Sequence, residues 1–101
     1  MKRVIGVALT WDGARQPVRS LPAKARAFLG EAVAPSPRRT AQLLAGDKIS
    51  EIRICWVPRL RGGDEVLAEP FATSDGKRVP FMATRIRPLG DHLGVVYRRR
   101  N

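Results

Sequence analysis

The chain has 101 residues, 44% of them hydrophobic and 28% charged, a balance that belongs to one folded domain and excludes a disordered segment. Nineteen Lys and Arg against nine Asp and Glu leave a formal net charge of +10, which points to polyanionic partners. No apolar run approaches the roughly 18–20 residues of a membrane span, and the single cysteine, Cys55, excludes an intramolecular disulfide.

Val4 to Leu9 is a continuous apolar run, as expected of a strand buried on both faces. Met1-Lys2-Arg3 before it resembles the start of a signal peptide. The run is short, however, and Thr10-Trp11-Asp12-Gly13 stands where a small-residue cleavage site belongs, so a first strand is expected. Residues 12–19 contain Gly13 and Pro17 and read as a loop. Ser20 is placed to cap a first helix with Pro22 in its opening turn. Leu21, Ala25, Phe28, Leu29 and Ala32 then form one apolar stripe. Pro35-Ser36-Pro37 restarts the chain: Ser36 caps a second helix, Pro37 opens it and Gly46 closes it.

From about Lys48 the pattern changes to strands. Ile52, Ile54 and Trp56 alternate with Arg53, Cys55 and Val57, and Pro58 ends the run. Arg61-Gly62-Gly63-Asp64 reads as a hairpin turn into a strand from Glu65 to Phe71. Asp75-Gly76 is the strongest hairpin signal in the chain. Lys77 to Arg87 follows as a long strand that Pro80 assigns to an edge or a bulge, and Leu93 to Arg99 is the last strand.

The expected fold is therefore α+β, a single globular domain over 1–101 in the order β-α-α-β-β-β-β. Its sheet has four or five mainly antiparallel strands, a meander with both helices on one face. A half-open small barrel is the structural alternative. Whether the first strand lies at an edge or inside the sheet is left open. Residues 98–101 are expected to form a flexible basic tail.

The charge is unevenly distributed. Residues 1–50 carry nine basic and three acidic side chains, residues 51–84 five of each, and residues 85–101 five basic and one acidic. Fifteen of the nineteen basic residues are Arg, whose planar fork matches phosphate and stacks on bases. If Ile52, Ile54 and Trp56 face the helices, Arg53 faces away. By the same alternation Arg78 and Arg98 point outward from their strands. Together with Arg99 and Arg100 of the tail, these are the expected nucleic-acid contacts, neutralising an RNA or DNA backbone. Arg85 and Arg87 share parity with the apolar face and are expected at its rim. The chain has six aromatic residues, with Trp11 the best placed for stacking, so backbone tracking is expected rather than base reading.

Catalysis finds little footing: no catalytic residue, metal ligand set or cofactor is expected. His92 is the one histidine, with no second Cys or His to build a zinc site. Cys55 lies in an apolar strand pattern and reads as a small hydrophobe. The best reading is a small, basic, non-enzymatic module that contacts nucleic acid in the cytoplasm, with no membrane association. The alternative is a protein-interaction or small-ligand module, a homodimer paired through a strand edge, with Trp56-Val57-Pro58 lining an apolar pocket. A third reading comes from a resemblance. The order of a strand, two helices and an antiparallel meander on a small basic chain is similar to that of the RelE-type ribonuclease toxins. That resemblance implies RNA cleavage by Arg, Lys, His or Tyr side chains near the end of the sheet, with Arg85, His92, Tyr97 and Arg98 as the analogous types.

Overall fold

A computed structural model describes residues 2–30, 32, 35–59, 71, 73 and 77–99. The chain forms strand β1 (Arg3–Thr10), the two-residue strand β2 (Arg15–Gln16), helix α1 (Ala23–Leu29), helix α2 (Pro37–Ala45), and strands β3 (Ile49–Val57), β4 (Phe81–Leu89) and β5 (His92–Arg99). The strands make one sheet in the order β2-β1-β3-β5-β4. Three of its pairings are antiparallel, and β1 lies parallel to β3. This is the expected α+β architecture with a mainly antiparallel sheet.

The continuous apolar run of β1 has its explanation in this position. Flanked by β2 and β3, the strand is buried on both faces, so neither parity needs polar residues. Ile5, Val7 and Leu9 join Ile52, Ile54, Leu43 and Leu44 in one core cluster. Ala8 joins Cys55, Val57, Leu89, Ala25 and Leu29 in a second. Successive strand residues point to opposite faces, so α2 covers one face and α1 the other. The expectation of two helices on one face is thus corrected. The physical reason is that β1 and β3 each carry two apolar parities, and one helix hides only one of them.

The α1 face is built from small residues. A Cβ on Gly6 would lie 3.0 Å from Ala32 Cβ and 3.3 Å from Leu29 Cδ2, and one on Gly94 would lie 2.9 Å from Phe28 Cζ. With Ala8 and Cys55 between them, these glycines let a short helix lie directly on the backbone of the sheet. Gly30, at φ +59°, ends that helix. Its start differs from the expected one. Pro22 stands at the cap position, and Ser20 belongs to a 3-10 turn over Val18–Ser20, where its hydroxyl donates to Pro17 O at 2.7 Å. At α2 the expectation holds: Ser36 Oγ accepts from Arg39 N at 3.1 Å, Pro37 opens the helix and Gly46 caps its end.

The connection order also differs from a simple meander. Among the described strands β5 lies between β3 and β4, so β4, the earlier of the two in the chain, is the outermost. This fits Pro80 just before it and Pro88 within it, because an outer strand has one side with no ladder to complete. The two-residue link Gly90-Asp91, with Gly90 at φ +70°, joins β4 to β5. That geometry requires glycine at the first turn position. Thr73 N donates to Lys77 O at 2.8 Å and Val79 N to Phe71 O at 2.7 Å, a reversal around the expected hairpin. Asp75 and Gly76 themselves, the Arg61–Asp64 turn and all but Phe71 of the strand expected over residues 65–71 lie outside the described residues.

Candidate nucleic-acid interface

The α1 face of the sheet is not fully covered. Beyond the end of α1, a groove of about 580 Å³ opens over β3, β5 and β4, lined by Ala27, Phe28, Glu51, Arg53, Thr84, Arg85, Arg87, Val96 and Arg98. Register accounts for this set. Arg53 pairs with Val96 and Val96 with Arg85; Glu51 pairs with Arg98; Gly94 lies between Cys55 and Arg87. Partners directly across a ladder share a face, so four arginines from three strands point into one depression.

Arg85 and Arg87 reach it through a break in register. Ala83 pairs with Tyr97, yet Arg85 pairs with Val96, leaving Thr84 as an extra residue between them. The extra residue inverts the parity of the rest of β4. Arg85 and Arg87, expected at the rim of the apolar face, therefore stand on the opposite face beside Arg53 and Arg98. The signal is visible in retrospect. The apolar positions Phe81 and Ala83 are two apart, whereas the next, Ile86, follows at three.

Among the described lining residues Glu51 is the one carboxylate, and it is 8% exposed. Arg53 Nε donates to its Oε2 at 2.8 Å, and Arg98 Nη2 lies 3.1 Å from its Oε1. Both oxygens thus have a cationic partner, the condition under which a carboxylate tolerates burial. Arg53 Nη1 also approaches Phe28 O at 3.5 Å, placing positive charge at the C-terminal end of α1, where the helix carbonyls are unpaired. Arg53 and Arg98 are thereby held in place. Arg85 and Arg87 are exposed and have no acidic partner among the described residues. Among the described residues, four guanidinium groups face one carboxylate in the groove, an excess of positive charge.

Of the expected contacts, then, the structure brings together Arg53 and Arg98. Arg78 lies elsewhere, beside Phe71, Val79, Pro80 and Phe81. Arg99 belongs to β5 and points to the other face, with Nη1 3.2 Å from Asp47 Oδ1. The strand runs on through Arg99 where a tail was expected from Arg98; Arg100 and Asn101 lie outside the described residues. Sequence reasoning missed Glu51, Phe28 and Val96, none of which carries a motif.

The aromatic candidates sit away from the groove. Trp11 is 49% exposed and stacks on Trp56, with ring centroids 6.1 Å apart. Trp56 packs on the α2-side core while Val57 belongs to the α1 side, so the two do not line a common pocket. The four residues singled out by the toxin resemblance do not converge. Arg85 and Arg98 line the groove, Tyr97 packs edge-on against Phe71 on the other face, and His92 sits at the β4–β5 hairpin beside Asp91. Cys55 is fully buried, and its burial pushes the thiol above its ordinary range.

Among the described residues, no group of three or more His, Cys, Asp and Glu stands close enough to hold a metal ion, and no helix is long and apolar enough to cross a membrane. No protein-family model matches the chain, and no curated protein matches it.

Proposed function

We propose that this protein is a binding module for the phosphate backbone of nucleic acid, and that the groove formed by Arg53, Arg85, Arg87 and Arg98 is its contact surface. The convergence of four guanidinium groups from three strands around one internally paired carboxylate carries this reading. Arg85 and Arg87, exposed and with no acidic partner among the described residues, supply charge. Arg53 and Arg98, held by Glu51, supply donors already oriented, which lowers the entropy lost on binding. Binding rather than catalysis is the proposal because both Glu51 oxygens face cations, which suits a positioning carboxylate better than a proton acceptor. A nucleic-acid partner and a lone buried thiol both suit a reducing, cytoplasmic setting.

The test is fluorescence anisotropy of labelled RNA and DNA titrated with protein between about 50 and 200 mM salt. Four phosphate contacts to a single strand give a log–log salt slope of about −3, and to a duplex nearly −4. Changing Arg85 and Arg87 to Ala should cut that slope by about half and weaken binding at every salt concentration. No binding at the lowest salt, or a double variant that binds like the parent protein, would remove the groove from consideration.

One observation favours a second reading. Seven of the nine residues of the edge strand β4 are exposed, including Met82 at 52% and Ile86 at 63%. Such an edge is a template for pairing with a second copy. Arg85 and Arg87 on the same strand oppose that pairing by like-charge repulsion, which ranks it second. Light scattering at low and high salt separates the two, since screening favours a dimer of this kind and weakens nucleic-acid binding.

A further inference from the structure

We infer that the groove takes single-stranded nucleic acid in preference to duplex, seating a base against Phe28 while the arginines hold the flanking phosphates. This rests on the nucleic-acid reading above and specifies its substrate class. Arg53 and Arg85 flank Val96 from strands two spacings apart, so their backbones are separated by roughly 10 Å. At one end of the groove α1, a cylinder of about 10–12 Å with its side chains, rises above the sheet, Ala27 and Phe28 bordering both the groove and Arg87, Pro88 and Leu89. A duplex is convex and keeps its bases stacked inside. It can touch the arginine tips but cannot bring a base down to the floor. A single strand has free bases and bends into such a channel.

The floor and the α1 wall are apolar where the rim is charged. Val96 is the floor residue between the two arginine rows, and Ala27 and Phe28 form the wall. Phe28 is only partly buried, packing on one side against the core cluster that includes Leu29 and Leu89 while it lines the groove. A single Cβ on Gly94 would lie 2.9 Å from its Cζ and 3.0 Å from its Cε1, so the ring tip rests on the sheet backbone and the rest of the ring borders the groove. An aromatic surface fixed in this way, beside guanidinium groups, is what base stacking combined with phosphate pairing requires. Along β4, Arg85 and Arg87 project from one face roughly 7 Å apart, separate enough to meet different phosphates.

Three labelled ligands of equal length, about twelve nucleotides, decide the matter at one low salt concentration: a single strand, the same backbone lacking bases, and the duplex. The single strand is expected to bind roughly tenfold more tightly than the abasic strand, the yield of about one stacked base, and more tightly than the duplex. Phe28→Leu keeps an apolar wall but removes the ring, and should erase the advantage over the abasic strand while leaving the salt slope unchanged. Equal binding of all three by the unaltered protein overturns the single-strand inference and leaves backbone binding standing. Binding of none overturns both. Because the ligand comparison uses the unaltered protein, it decides the question even if Phe28→Leu fails to fold.

Discussion

Cys55 shows how little a residue type says before its neighbours are known. A lone cysteine is a potential nucleophile, yet this one is 0% exposed among Ala8, Ala25, Leu29 and Val57, and burial raises its pKa from the ordinary 9.0. Desolvation disfavours the thiolate, the reactive form. Thiol reagents should therefore leave the native protein unlabelled near neutral pH and label it fully in denaturant; rapid native labelling would contradict this placement. The same shift makes an alkaline prediction. Well below pH 9 both folded and unfolded chains keep the thiol proton. Above it the unfolded chain ionises first, so this residue's contribution to stability is lost as pH rises through the folded pKa. Glu51 makes the converse point. It carries no motif, yet between Arg53 and Arg98 it orders half of the basic groove.

At the scale of the element, local chemistry and tertiary demand can be separated by comparing the two helices. The start of α2 was legible because its determinants are local: the Ser36 hydroxyl satisfies Arg39 N, and Pro37 has no N–H to leave unpaired. Ser36→Ala should cost about 1 kcal/mol, read as a lowered denaturation midpoint with an unchanged m-value. A shift indistinguishable from zero would mean that packing of Leu43 and Leu44 alone holds the helix. The start of α1 was misplaced because Ser20 met an equally local competitor, the Pro17 carbonyl, and spent its hydroxyl on a 3-10 turn. The extra Thr84 in β4 is the costliest misreading. One residue of slip reassigns every later side chain on a strand to the other face, and here it carried two arginines into the site. That slip was encoded in the three-residue interval from Ala83 to Ile86, which strict alternation disregards.

For the whole molecule, the consequence of +10 on 101 residues is self-repulsion as well as attraction for polyanions. Lys2 and Arg99 are offset by Asp47, and Arg53 and Arg98 by Glu51, while Arg85 and Arg87 are not offset among the described residues. Raising sodium chloride from about 10 to 150 mM shortens the Debye length from roughly 30 to 8 Å. The melting temperature should rise across that range as like charges are screened. A melting temperature that falls instead would show that the ion pairs outweigh the net repulsion. The opposing salt dependences are informative together, since the same ions that steady the free protein compete with nucleic acid for its groove.

The sequence by itself determined the α+β class, the run of elements, the boundaries set by Ser36, Pro37 and Gly46, the edge or bulge announced by Pro80, and the strongly basic charge. These depend on backbone sterics, capping and alternation, which act over a few residues. Only the tertiary structure decided that β1 enters the sheet parallel to β3, that the helices cover opposite faces, and that Arg53, Arg85, Arg87 and Arg98 meet around Glu51. Those outcomes depend on which strands pair and in what register. That choice is made by burying two apolar faces at once across residues far apart in the chain, and no local pattern contains it.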